Sequence, residues 1–200
     1  METTLEIRWF IEGIPPVEVQ NWFKDRCSGK LLGSEIREDW YFYGDRESIE
    51  QFIKIPSYSL EEINLKLRSG NLELKLRQQQ LGTEKFGSWQ GKIEQWSKPS
   101  QPELKQLLIA PPIESWIRVV KEREQKIEQN VKSELTRLSI NSNFWWSVAF
   151  EMPQDNSDEQ LSHFKQIVND CASVDTIQLY SHNSYSYSQW IEKLSKLKKF

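Results

Sequence analysis

Glu62-Ile63-Asn64-Leu65-Lys66-Leu67-Arg68-Ser69-Gly70-Asn71-Leu72-Glu73-Leu74-Lys75-Leu76-Arg77 is the stretch whose reading decides the fold. Two period-2 runs flank Ser-Gly-Asn, the pattern of a β-hairpin. Ile63, Leu65, Leu67, Leu72, Leu74 and Leu76 share one face. Lys66, Arg68, Glu73, Lys75 and Arg77 share the other. Four cations on one face of two paired strands form a dense positive surface. That surface is either washed by solvent or the wall of an anion site.

Working outward, residues 3–11 alternate Leu5, Ile7 and Trp9 with Glu6 and Arg8, which predicts a strand. Pro15-Pro16 predicts a helix start, with Val17, Val19, Trp22 and Phe23 as its apolar side to about Cys27. An aromatic strand is expected at 35–43, and irregular chain at 46–61 with Pro56 as a breaker. Gly82, Gly87 and Ser88 mark a turn before a strand at 89–97. A short helix is expected at about 103–109, then strands at 115–126, 129–138 and 144–152. Ser157-Asp158-Glu159 caps a helix to about Cys171, and a short strand near 176–180 precedes a helix at 186–197. Glu122–Glu128 with Arg123 and Lys126 also reads as a helix face, in which case Lys121 and Arg123 would leave the strand set.

The chain has 200 residues, enough for one domain spanning 1–200. Its net charge of −3 excludes the strong positive balance of general nucleic-acid binders. Nine Trp, nine Phe and six Tyr argue for a packed core despite a mean hydropathy of −0.67. No apolar run approaches the roughly 20 residues of a membrane span, and the first ten residues are not a signal peptide. Cys27 and Cys171 form no CxxC and read as reduced thiols of a cytoplasmic protein. Lys193–Lys199 reads as a solvated helix end. His163 and His182 have no partner at zinc-ligand spacing. Trp145-Trp146 and Trp40-Tyr41 offer faces on which bases could stack, but they read rather as pairs straddling a sheet, one side in core and one at a rim.

Some eight mostly antiparallel strands tend to split into two sheets or close on themselves. Their charged faces carry Glu6/Arg8, Arg37/Asp39, Lys66/Arg68, Glu73/Lys75/Arg77, Lys92/Glu94, Lys121/Arg123, Glu134 and Glu151, with apolar residues opposite in most strands. A solvated face usually mixes in Ser, Thr, Gln and Asn, whereas these are dominated by ionisable residues of both signs. The reading that follows is an α+β fold: a closed antiparallel β-barrel with a polar tunnel and helices packed outside. Inward charges persist only if paired or bound to ligand. Lys and Arg with interspersed Glu suit a polyanion and a divalent metal, Mg²⁺ or Mn²⁺.

In their order these segments resemble the CYTH, or triphosphate tunnel metalloenzyme, superfamily. Thr4-Leu5-Glu6-Ile7-Arg8 stands where the family opens with Glu-x-Glu-x-Lys. Asp39-Trp40-Tyr41-Phe42-Tyr43 is similar to its Asp-x-Tyr-Phe-Asp strand, and Asn64–Arg68 with Glu73–Arg77 to its paired basic strands. Lys92–Glu94, Lys121-Glu122-Arg123, Phe150-Glu151 and the Ser184–Trp190 segment match later family elements in order and type. The resemblance implies a carboxylate cage for a divalent metal and triphosphate hydrolysis or adenylate cyclisation.

The expected anion contacts are Arg8, Arg37, Lys66, Arg68, Lys75, Arg77, Lys92, Lys121 and Arg123. The expected metal ligands are Glu6, Glu94, Glu134 and Glu151. Thr4 replaces the first acid of the opening strand, Arg8 its lysine, and Tyr43 the second aspartate of the aromatic strand. The cationic set is thus fuller than the acidic one, so the sequence argues for binding ahead of catalysis. The expected partner is an anionic small molecule such as triphosphate, polyphosphate or a nucleotide, with no sequence-specific nucleic acid and no membrane. Two alternatives stay open: a lipocalin-like carrier with its apolar faces inward, and a protein-interaction module on a vestigial tunnel.

Overall fold

The computed structural model describes residues 2–44, 46–53, 58–59, 62–107, 111–154, 157–172 and 177–197. Eight strands close into one antiparallel barrel in the order β1-β5-β4-β3-β2-β6-β7-β8. They are β1 (Glu2–Glu12), β2 (Lys30–Phe42), β3 (Ile63–Arg68), β4 (Asn71–Phe86), β5 (Trp89–Lys98), β6 (Trp116–Glu128), β7 (Val131–Ile140) and β8 (Asn143–Gln154). The helices are α1 (Val17–Asp25), α2 (Arg46–Phe52), α3 (Gln101–Leu107), α4 (Asp158–Ala172) and α5 (Tyr187–Lys196).

The hairpin forms in the expected register, with Leu65 opposite Leu74 and Lys66 opposite Glu73. Its turn needs two left-handed residues, which Ser69 (φ 48°) and Gly70 (φ 78°) supply. The outward leucines Leu65, Leu74 and Leu76 are buried with Ile53 after α2 and Leu104 of α3. Each such side chain contributes about 1.5–3 kcal/mol when fully buried. The apolar face of the hairpin therefore points out of the barrel, the reverse of the lipocalin-like arrangement.

On the opposite side, α1 and α4 cover the outer faces of β1, β5 and β8. Trp22 and Phe23 of α1 and Phe164 and Val168 of α4 join Leu5, Ile7, Trp9, Trp89, Val148 and Phe150 in one cluster. Trp89 meets Trp9 and Trp22 edge-on, at 5.7 and 5.1 Å between ring centroids. A Cβ on Gly91 would fall 2.4 Å from the Trp9 ring, so close packing requires glycine there.

The last helix does something different from α1 and α4. Ser186 caps α5 and shares a capping box with Gln189. Tyr187, Trp190, Ile191 and Leu194 then pack against Phe10, Tyr41, Ile117, Val119, Leu138 and Trp145. Register places these strand residues on the same face as Arg8, Arg37 and Lys121, the inside of the barrel. Phe10 stacks on Trp190 at 4.5 Å. The barrel interior is thus apolar and plugged by α5 in one half and charged in the other. Trp145 belongs to this inner cluster and Trp146 to the outer one, so the pair straddles the sheet, though both are buried in core rather than one lying at a rim.

Several expectations need correction. Residues 46–52 are helical rather than irregular, while Pro56 lies outside the described residues. β2 begins at Lys30, five residues earlier than predicted, because β6 pairs with it throughout. β4 continues to Phe86, with bulges at Arg77/Gln79 and Gln80/Gly82 absorbing the glycine read as a turn. Helix α3 starts two residues before the predicted one, and residues 108–110 lie outside the described set. Residues 177–180 are not a strand: they run beside β5, where the Ile177 carbonyl accepts from the Trp89 indole at 2.8 Å. Residue 176 lies outside the described set, as do Lys198 and Lys199 of the lysine-rich tail. Residues 122–128 are strand, which keeps Lys121 and Arg123 on the inner face.

Candidate functional site

Alternation sends one face of every strand inward, and in the open half those faces meet around a cavity of about 320 Å³. Nine cationic and five acidic side chains are among the residues lining it. From β1 come Glu6 and Arg8, from β2 Arg37, and from the hairpin Lys66, Arg68, Glu73 and Lys75. Lys121 and Arg123 come from β6, Lys132 and Glu134 from β7, and Glu151 from β8.

Ion pairs organise the wall. Asp39 is fully buried and takes Lys121 Nζ at 2.9 Å, Arg68 Nε at 3.1 Å and an Arg37 amine at 3.3 Å. Glu134 joins Arg8 at 2.8 Å and Arg123 at 3.0 Å. Lys66 sits 3.2 Å from Glu73. The rings of α5 reach this layer too: Lys121 Nζ lies 3.7 Å from the Tyr187 ring centroid, and the Arg8 guanidinium 4.7 Å from it. The Nε atoms of Arg37 and Arg123 are buried without a hydrogen-bond partner in this structure, so the wall holds donor capacity that its own acids do not use.

Charge states follow from this wiring. Burial works to raise the Asp39 carboxyl, but Lys121, Lys66 and Arg37 overcome it and hold Asp39 well below the usual carboxylate range. Glu134 is likewise held low against burial, by Arg8 and Arg123. Burial pushes the Lys66 ammonium down to about 8, with Arg68 acting in the same direction and Glu73 opposing. Burial also pushes Lys121 well below the usual lysine value, against the pull of Asp39.

The structure brings together Arg8, Arg37, Lys66, Arg68, Lys75, Lys121 and Arg123 of the expected anion contacts, and Glu6, Glu134 and Glu151 of the expected metal ligands. Lys92 and Glu94 instead line a small adjoining space of about 20 Å³ beside Ser184–Tyr187. Arg77 lines neither cavity; its guanidinium bonds Glu94 at 2.9 Å and approaches Glu62 at 3.7 Å. Lys98, Lys132, Gln125 and Tyr187 were not expected. Lys132 and Gln125 follow from strand parity alone, two residues from Glu134 and Arg123. Tyr187 comes from the Ser184–Trp190 segment, which the family resemblance marks as an element but not as part of the cavity wall.

The four glutamates do not fit a resident divalent ion. Glu94, Glu6 and Glu151 are cross-strand neighbours at one level of β5, β1 and β8. Lys75 occupies the space between Glu6 and Glu151, and Arg77 takes Glu94. Glu134 is held between two arginines. Among the described residues, no three His, Cys, Asp or Glu side chains gather as a metal site. At position 4, the Thr4 hydroxyl donates to Glu6 at 2.8 Å, where a second acid would extend the row.

The closed eight-stranded barrel with charges facing inward is the architecture that the CYTH resemblance implied, except that α5 plugs one end of the expected tunnel. No family model and no curated protein matches the chain. Among solved structures, the PH1819 protein of Pyrococcus horikoshii OT3 is similar over 95% of this chain and 99% of its own, at 15% identity and a TM-score of 0.48. A Hippeastrum protein, described as a putative adenylyl cyclase with a dominant triphosphatase activity, is similar over 86% and 88%, at 11% identity and a TM-score of 0.42. The RNA triphosphatase of S. pombe is similar over 86% and 77%, at 12% identity and a TM-score of 0.36. These likenesses concern the barrel architecture, and the reading of the cavity rests on its own residues. No helix among the described residues is long and apolar enough to cross a membrane.

Proposed function

We propose that the open half of the barrel binds a linear phosphorylated anion (triphosphate, polyphosphate or the phosphate chain of a nucleotide) and that it turns such a ligand over slowly or not at all. One observation carries the reading: nine cations against five acids line a cavity that is plugged at one end. A polyanion offers several charges in a row, matching cations that come from β1, β2, the hairpin and β6. Fixed guanidinium forks suit phosphate oxygens, and their interaction is stronger where water is excluded. Hydrolysis would need a group that polarises the phosphorus or positions water, and the carboxylates that would hold such a group are each committed to a cation. A cytoplasmic setting is part of the proposal, resting on the two cysteines read as reduced thiols.

Thermal denaturation tests the binding. At 100 times Kd a ligand stabilises the native state by about 2.7 kcal/mol. For a chain of this size that is a Tm rise on the order of 5–10 °C. Tripolyphosphate should give such a rise, exceed monophosphate at matched ionic strength, and lose much of its effect in Lys66→Met and Arg68→Ala. Equal shifts for both anions would reduce the effect to screening and end the proposal.

A further inference from the structure

Cys27 closes the turn after α1, and Cys171 lies in the last turn of α4. They are 144 positions apart in sequence, yet their Sγ atoms are 3.1 Å apart. Both are buried, at 3% and 1% exposure, and they are the only cysteines of the chain. Trp22 fixes the two together. Its carbonyl accepts the Cys27 N–H at 2.9 Å, and its indole donates to the Cys171 carbonyl at 2.9 Å. Lys126 Nζ adds a bond to the Cys27 carbonyl at 2.7 Å. Two small buried thiols could serve as packing alone, but packing does not require the sulfurs to face each other from separate elements.

We propose that Cys27 and Cys171 form a covalent modification site, which a peroxide converts to an intramolecular disulfide stapling α1 to α4. A disulfide is about 2.0 Å long, so the sulfurs need to close by about an ångström. The contacts with Cys27 and Ser28 favour the Cys171 thiolate against its burial. The contact with Cys171 and burial push Cys27 up. Cys171, whose sulfur also meets the Ser28 hydroxyl at 3.8 Å, is taken as the sulfur that attacks first. Its thiolate takes one peroxide oxygen, the O–O bond breaks, and hydroxide leaves to become water with the thiol proton. Cys27 sulfur then attacks the Cys171 sulfenic acid; S–S forms, S–O breaks, and the second oxygen leaves as water with the Cys27 proton. Two thiols lose two electrons and two protons, and the peroxide takes them up.

The test uses the full chain, reduced, desalted and exposed to hydrogen peroxide. Intact mass should fall by two hydrogens, both thiols should disappear from a titration together, and a peptide joining Cys27 to Cys171 should appear in a non-reducing digest. Tm should rise by on the order of 5–10 °C, since closing so long a loop constrains the unfolded chain, and dithiothreitol should reverse the rise. Cys27→Ser should show no such rise and should leave Cys171 to be trapped as a sulfenic acid by dimedone. Should that variant not fold, the mass and digest of the native chain decide alone. Two surviving thiols in the peroxide-treated chain, oxygen adducts without cross-link, or only intermolecular dimers would overturn the proposal.

Discussion

Lys75 is shared by two acids that no other strand separates: its ammonium bonds Glu6 Oε1 on β1 and lies 3.3 Å from Glu151 Oε1 on neighbouring β8. It reaches them from β4, with β5 between β4 and β1. A side chain of the protein thus sits where paired carboxylates would otherwise attract a bound cation. Acids and cations that look like separate metal and phosphate sets in the sequence are wired to each other in the fold.

The shortage of acid in the opening strand should be visible in metal binding. Thr4→Glu places a carboxylate beside Glu6, in the position where the Thr4 hydroxyl already contacts it. A carboxylate about 4 Å from a cation contributes roughly 4 kcal/mol per unit charge at an effective dielectric near 20, part of which Lys75 will take. Native protein should release phosphate from tripolyphosphate very slowly or not at all with Mg²⁺ or Mn²⁺. The variant should bind Mn²⁺ more tightly by titration calorimetry. Fast native turnover would show that residue 4 is no deficit.

Lys66 should make ligand binding consume protons. Its ammonium is lowered to about 8 from 10.5, so between those values it is largely neutral in the fold and charged in the unfolded chain. The unfolded state then binds more protons, and Lys66 makes stability rise with pH across that window; below about 8 its desolvation penalty is fully present. A polyanion favours the charged form and draws a proton in. Calorimetry near pH 8.5 in buffers of different ionisation enthalpy should show proton uptake that Lys66→Arg removes, and affinity should fall as pH rises past about 8. Uptake unchanged in the arginine variant would assign it to another group.

Asp39 should set the acid limit. Its carboxyl is held low in the fold, so its stabilisation is complete above the usual aspartate range near 3.8 and is lost as pH falls further toward the folded value. Asp39→Asn should remove that acid-sensitive component. It should also cost about 3–5 kcal/mol near neutrality, because Lys121 is left buried with its charge uncompensated. Urea denaturation at pH 7 and pH 3 checks both halves. A variant as stable as the parent would mean that Asp39 is dispensable to the wall.

Gly91→Ala should destabilise without touching the cavity. The added Cβ meets Trp9 at 2.4 Å and Ile7 at 2.8 Å, both in the outer core. Overpacking of this kind costs about 1–3 kcal/mol. Urea midpoints should fall while the additional Tm rise with tripolyphosphate is kept. Loss of ligand response with stability intact would contradict the separation of outer core from cavity.

Strand parity was legible in the sequence because a β-strand alternates faces whatever surrounds it. Leu65 and Lys66 were bound to part company, and so were Trp145 and Trp146. The density of charge on the facing surfaces of 62–77, 121–123 and 6–8 made closure with charges inward readable before any contact was known. Turn chemistry was less legible: Gly82 reads as a turn until β5 is present to pair across its bulge. Tertiary structure alone decided which cation meets which acid, since strands far apart in sequence must first come into register. It committed Arg77 to Glu94, put Lys75 between Glu6 and Glu151, and gave Asp39 three cations. It also sent α5 into the barrel, making the charged space a cup. An amphipathic helix announces that it will bury one face, but the surface it meets is chosen by which apolar patch the closed sheet leaves uncovered.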